Sequence, residues 1–448
     1  MTSSTANQSA ESRRASTSPA TSKPRRSAGF VIFLCFLTIV FDGYDLVVYG
    51  TIVPALLAYE EWGLTPVQTG AYGSYALAGM FIGAIIVGYL TDVIGRRKVL
   101  IASIIAFSLL MVATAFAPSP FWFGAFRFLA GLGLGGVIPT AIAITVEFSR
   151  RERRNFNNAL MFSGYAFGGI MAAILAMLLL PHIGFRGMLA IGALPLVTIL
   201  PLVFFLMPES PAYLRSKGDV AEANAVLEQH GLNPYPPTAA TDDAKRFDHE
   251  PKRKSAMAEL FRSRFIVATL LFCLAGIAGQ TLVYGLNTWM PQLLVMADYS
   301  INSSLSFLLT TNVGAVFGVL VSSRLADRVG PRAMVMFSFI ASGTALVLMG
   351  TGIFPLWAMY LLVAVVGFGS IGAQILVNGF VATFYPDDVR ASALGLTLGI
   401  GRIGAVIAIA GGGVLVSMAL STFANFSVWA IAAGIGLIAA LLVPRAPR

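Results

Sequence analysis

Twelve long apolar runs alternate with short polar connections along this chain. Each run is about long enough to cross a hydrocarbon layer of ~30 Å as a helix. The runs fall at 28–58, 67–91, 99–117, 121–147, 156–180, 187–207, 264–290, 303–323, 333–351, 356–384, 391–417 and 422–443. Several exceed the minimum, which permits tilt without setting its angle. The pattern predicts an all-α polytopic membrane protein with twelve transmembrane helices.

The connections differ sharply in charge. Arg13, Arg14, Lys23, Arg25 and Arg26 precede the first run, and Arg96, Arg97 and Lys98 separate the second from the third. Arg150, Arg151, Arg153 and Arg154 follow the fourth, and a further set from Arg215 to Arg264 fills the central segment. Arg324, Arg328 and Arg332 follow the eighth run, Arg390 the tenth, and Arg445 and Arg448 close the chain. The alternate connections carry only Arg186. Basic residues collect on the cytoplasmic side of membrane proteins, so both termini and the central segment are expected there. Five regions follow: a disordered tail over 1–27, a six-helix bundle over 28–207, a linker over 208–263, a second six-helix bundle over 264–443, and a short tail over 444–448. Within the linker, Leu214 to Gly231 has helical spacing. The apolar run after residue 27 is too long for a cleavable signal peptide.

Composition narrows the class. Hydrophobic residues make up 57% of the chain, charged residues 11%, and mean hydropathy is +0.79, which excludes an ordinary soluble domain. The net charge of +9 alone would suit nucleic acid, but its confinement to alternate connections argues for membrane topology instead. Cys35 and Cys273 lie inside apolar runs, so neither a disulfide framework nor a metal site is expected. No Walker pattern, metal-ligand cluster or nucleophile–base pair points to an enzyme or to ATP. No cofactor and no obligate protein partner is implied.

The second half repeats the first. Gly131, Gly133 and Gly136 map at an offset of 236 onto Gly367, Gly369 and Gly372, as do Phe148 onto Phe384 and Arg154 onto Arg390. An offset of 235 maps Asp92 and Gly95 onto Asp327 and Gly330. Two pseudo-symmetric bundles in the same orientation place a binding site between them near the midplane.

Asp42 and Asp45 stand inside the first run, where a carboxylate costs from ~3 to ~10 kcal/mol or more. Their i,i+3 spacing puts both on one helix face. Two acids that close cannot both ionise cheaply, so the pair reads as a proton-handling site. His182, His230 and His249 all lie in connections, which leaves the acids as the proton carriers. Arg402, near the middle of its run, offers a planar fork for a carboxylate, or else a fixed partner for an aspartate. Arg127 either tunes an aspartate or holds a helix contact. Glu147, at the end of the fourth run, suits proton transfer less well than pairing with Arg150 or Arg151. Gln280, Tyr284 and Asn287 form one polar stripe, and Gln374 with Asn378 a second, of the kind that faces a cavity or a partner helix. Tyr44, Tyr49 and Tyr165 are candidates to stack on or hydrogen-bond an aromatic ring, although packing commonly explains any single aromatic.

These motifs resemble a known set. G-Y-L-T-D-V-I-G-R-R-K, Gly88 to Lys98, is similar to the signature loop of the major facilitator superfamily, with a weaker copy from Ser323 to Arg332. Val93 and Ser323 depart from the usual basic residue and glycine. The glycine-rich stretch from Arg127 to Pro139 resembles that superfamily's proton-coupling motif, and P-E-S-P at Pro208 to Pro211 resembles the end of its sixth helix. D-G-Y-D at Asp42 to Asp45, with G-I-G-R-I-G at Gly399 to Gly404, resembles the aromatic acid:H+ symporter family. The resemblance implies the major facilitator fold in a bacterial inner membrane. It further implies import of a small aromatic carboxylate with protons by alternating access. Asp92, Gly95, Arg96, Asp327, Arg328 and Arg390 are then expected to gate the cytoplasmic side. A sugar, shikimate-like or other organic-anion porter of the same superfamily is the alternative; a non-transporting sensor of aromatic acids is the alternative from another class.

Overall fold

Apolar length and composition make the helices, and in the absence of water every backbone group must be satisfied within them. The computed structural model describes residues 27–150, 153–235, 258–262 and 264–444. The expected tails lie outside this set except for Ser27 and Pro444. Fifteen α-helices appear among the described residues: α1 Ala28–Leu57, α2 Pro66–Ile94, α3 Arg96–Ala115, α4 Pro120–Leu134, α5 Val137–Glu147, α6 Arg154–Ala190, α7 Ile199–Leu206, α8 Pro211–Ser216, α9 Val220–Gln229, α10 Ile266–Met296, α11 Ile301–Val329, α12 Pro331–Gly350, α13 Leu356–Phe384, α14 Asp387–Ser417 and α15 Thr422–Leu442. The described residues contain no strand.

Ten described stretches are long and apolar enough to cross a membrane. The difference from the expected twelve has two sources. Residues 156–206 form one apolar stretch of 51, about twice what a span needs. The chain turns within it at Gly184, where φ is 64°, close after Pro181. Beyond the turn the expected sixth run is irregular: the end of α6, a 3-10 segment over Ile191–Leu196 containing Pro195, and the short α7. The other source is α11, which is 29 residues long but rich in Ser, Thr and Asn. The linker also departs from expectation, because Gly218 at φ 93° splits the single helix expected there into α8 and α9.

The repeat has a physical basis in close helix approach. A side chain at Gly131 would strike the backbone of Ala76 in α2, and one at Gly133 the backbone of Phe107 in α3. In the second half Gly367 lies against Thr311 of α11, and Gly369 against Ser338 of α12. The same two glycines thus let α4 and α13 nestle against equivalent neighbours. Gly95 and Gly330 also match, ending α2 and α11 at φ 101° and 96°, a conformation that disfavours any residue with a side chain.

The two lobes meet along α1 with α10, α2 with α14, and α6 with α11. Contact is tight on the side away from the linker. Gly413 sits on the backbone of Pro66, Gly70 on that of Ile409, and Gly50 on that of Asn287. Towards the linker side the seam loosens. A side chain at Gly395 or Gly399, on the face of α14 that carries Arg402, would meet nothing within 4 Å, and the same holds for Gly379 of α13. The molecule is closed on the far side and open towards the linker.

Candidate substrate and proton site

The glycine inside D-G-Y-D brings α1 and α6 together. A side chain at Gly43 would overlap the backbone of Tyr165, and one at Gly168 that of Val40. That approach buries both aspartates, at 2% and 3% exposure. The two carboxylates still act on each other, as expected of a close pair, but their partners differ. Asp45 accepts a hydrogen bond of 2.7 Å from Arg127 Nη1, whose guanidinium lies 4.8 Å from the Tyr49 ring. Neither oxygen of Asp42 has a hydrogen-bond partner.

Asp42 shares its electrostatic environment with Asp45 and, beyond it, with Arg402 of α14, Tyr165 of α6 and Tyr284 of α10. Arg402 Nη1 is buried without a partner. The Tyr165 and Tyr284 hydroxyls face each other, but Tyr165 Oη does not achieve hydrogen-bond geometry with any group. An acid, a base and a phenol from both lobes therefore meet around the seam with their polar atoms unsatisfied. Buried polar groups are ordinarily paired, and clusters left open mark sites where a ligand or water completes the set.

Several expected site residues are committed elsewhere. Tyr44 is fully buried and donates to Met188 O at 2.7 Å, inside its own lobe. Tyr49 donates to Thr69 O at 2.5 Å and serves as the shelf for Arg127. Asn287 donates to Val283 O at 2.7 Å and accepts from Asn312 at 3.2 Å, so its carboxamide ties α10 to α11. The polar atoms of all three are thus engaged within the protein, although Tyr49 also lines the small cavity beside Asp45 and Arg127. Gln280, Tyr284 and Gln374 remain nearby, and neither polar atom of Gln374 has a partner. Asn378 Oδ1 is likewise unpartnered, one turn closer to the opening.

Glu147 is part of a different assembly. It pairs with Arg96 and accepts a 2.5 Å hydrogen bond from Ser210 Oγ; the expected partner Arg151 lies outside the described residues. Glu209 Oε1 accepts from the backbone N–H of Arg97, at the start of α3, at 2.9 Å. A carboxylate there satisfies an otherwise orphaned helix donor. P-E-S-P thus clasps the ends of α2, α3 and α5 on the linker side, far from the aspartates in the seam. Arg390 Nε donates to Tyr385 O at 3.4 Å, and Arg328 is exposed. The side chains of Asp92 and Asp327 lie outside the described residues.

Sequence reasoning missed Asn312, whose Oδ1 faces Gly169 of the other lobe. Thr310 and Thr311 precede it, so no single polar stripe singles it out. It also missed Thr288 and Ile409. These C-lobe residues close a small cavity over Asp45 and Arg127, with room for about one water.

With this geometry in hand, comparison with known proteins is decisive. The Major Facilitator Superfamily matches residues 35–408 and 284–448. The chain belongs to that superfamily. Within it, several relatives are named as transporters of aromatic acids. The gentisate transporter of Corynebacterium glutamicum is 37% identical, over 94% of this chain and 88% of its own length. The benzoate transport protein of Acinetobacter baylyi is 36% identical, over 92% and 89%. Among solved structures, the partially occluded inward-open xylose transporter of E. coli superposes with a TM-score of 0.75 at 16% identity, covering 93% of this chain and 98% of that one. Such a likeness establishes the fold. As a superfamily member the chain is a multi-pass transporter and not an enzyme.

Proposed function

We propose that this protein imports a small aromatic carboxylate together with protons across the cytoplasmic membrane of a bacterium. The observation that supports this reading is the Asp42 carboxylate, without a hydrogen-bond partner, within electrostatic reach of Arg402, whose Nη1 also lacks one. The benzoate and gentisate relatives supply the class of cargo. The basic linker side is taken as cytoplasmic.

In the proposed cycle the cargo carboxylate takes two parallel hydrogen bonds from Arg402. Asp42 carries the proton, because its charge beside an anionic substrate opposes binding. Protonated on the outside, it lets Arg402 turn to the incoming carboxylate. The neutralised, occupied site then permits the lobes to rock, and the lower proton activity of the cytoplasm favours deprotonation and release. Asp45 and Arg127 remain paired and hold the floor of the site. The proton is the coupling ion and no cofactor takes part.

The test is uptake of labelled benzoate, hydroxybenzoates and glucose by proteoliposomes, with and without an acidic exterior. Accumulation of an aromatic acid only with the gradient supports the reading. Saturable glucose uptake without aromatic-acid uptake rejects it in favour of a sugar porter.

A further inference from the structure

We infer that Gln374, supported by Asn378, is a subsite for a ring hydroxyl, so that the cargo is a hydroxylated benzoate in preference to benzoate itself. This deepens the aromatic-acid reading and rests on it.

Gln374 is 8% exposed, and neither its Oε1 nor its Nε2 has a hydrogen-bond partner. A carboxamide offers one acceptor and two donors, all strongly hydrated before burial. Leaving both ends open in the interior is costly unless something arrives to complete them. Its position says what arrives. Gln374 Oε1 lies over Gly279, where a side chain on α10 would displace it. The next residue, Gln280, packs its stem against Gly401, 3.2 Å from where a Cβ would stand, immediately before Arg402. The Gln374 carboxamide and the Arg402 segment therefore pack against consecutive residues of the same helix, α10.

The environment is also that of a ligand site. Asn378 Oδ1, one turn along α13, is unpartnered as well. Beside it Gly379, and on α14 Gly395 and Gly399, border open space, so the pair stands at the inner end of the linker-side opening. A phenolic hydroxyl in the meta or para position donates to Gln374 Oε1 and accepts from its Nε2, satisfying both atoms at once. Benzoate brings only C–H to the same place and leaves them unpaired. Sites built to hydrogen-bond a hydroxyl discriminate strongly against the analogue that lacks it.

The experiment uses the full chain in proteoliposomes with an inward proton gradient. KM is measured for 4-hydroxybenzoate, 3-hydroxybenzoate and benzoate in the wild type, Gln374→Leu and Gln374→Asn. Binding of the same acids in detergent is measured in parallel, with size-exclusion profiles to confirm folding. The expected wild type prefers at least one hydroxybenzoate over benzoate by about tenfold or more in KM. Both variants are expected to shrink that ratio to about twofold, chiefly by raising the hydroxybenzoate value. A wild type with no preference, or variants that weaken all three acids equally, overturns the subsite while leaving aromatic-acid import intact. A wild type that accumulates none of the three overturns the functional reading itself, and the subsite with it.

Discussion

Arg127 and Asp45 are joined by a 2.7 Å ion pair at 3–4% side-chain exposure. The acid three residues earlier has no such partner. That asymmetry separates the two aspartates of D-G-Y-D: one is held in an ion pair, the other has no hydrogen-bond partner.

Breaking the buried pair strands a charge. Asp45→Ala and Arg127→Met are each expected to cost about 3–5 kcal/mol of stability, because one ion remains uncompensated in the interior. The double variant is expected to recover most of that loss in a thermal-unfolding assay. Single variants as stable as the wild type refute the structural role.

Asp42→Asn removes no hydrogen bond, so its melting temperature should stay within a few degrees of the wild type. Transport should change instead. Wild-type accumulation is expected to rise as the external pH falls, since acidification loads the carrier. In Asp42→Asn that rise is expected to disappear, while exchange of substrate for substrate at equal pH persists. An unchanged pH profile removes Asp42 from the proton path.

Gly43 is where α6 touches α1, so Gly43→Ala forces a Cβ into the Tyr165 backbone. Overpacking of this kind costs ~1–3 kcal/mol or more. Gly379→Ala, facing open space, is the control and is expected to leave stability unaffected. Equal yields and melting curves for the two contradict the contact.

The far-side closure can be loosened. Gly413 sits on the Pro66 backbone, where an added Cβ has no room. Gly413→Ala is expected to hold this seam apart, so that Val67→Cys reacts faster with a water-soluble thiol reagent in the Gly413→Ala background than alone, and uptake falls. Cys35 and Cys273 are buried and contribute little background. Equal labelling and equal uptake contradict the close approach.

Glu209→Gln weakens the charge-assisted cap on α3. The expected result is faster hydrogen exchange over 211–229 and the start of α3, at a cost of about 0.5–2 kcal/mol. Exchange confined to its wild-type rate argues that the clasp is incidental.

Much of this was legible beforehand for identifiable reasons. Apolar run length is a local property, and the bilayer makes it nearly sufficient to locate a helix. The break between 156–180 and 187–207 was legible from Pro181, His182, Gly184 and Arg186, and the chain does turn there at Gly184; the 3-10 segment and short α7 that make up the second run were not legible, because an irregular helix keeps the same apolar composition. Tyr44 and Tyr49 were legible as buried aromatics, but their hydroxyl partners, Met188 O and Thr69 O, are backbone atoms that any residue type provides.

The amino-acid order alone determined that the chain spans a membrane, that its halves repeat, and that Asp42, Asp45, Arg127 and Arg402 are buried charges needing a reason. Each follows from composition and spacing, because hydrocarbon penalises charge wherever it lies along a span. Only the tertiary structure decided that Arg127 belongs to Asp45 and that Arg402 faces Asp42 across the lobes. Partner choice depends on distances between helices far apart in sequence, and those are set by where glycines let backbones approach.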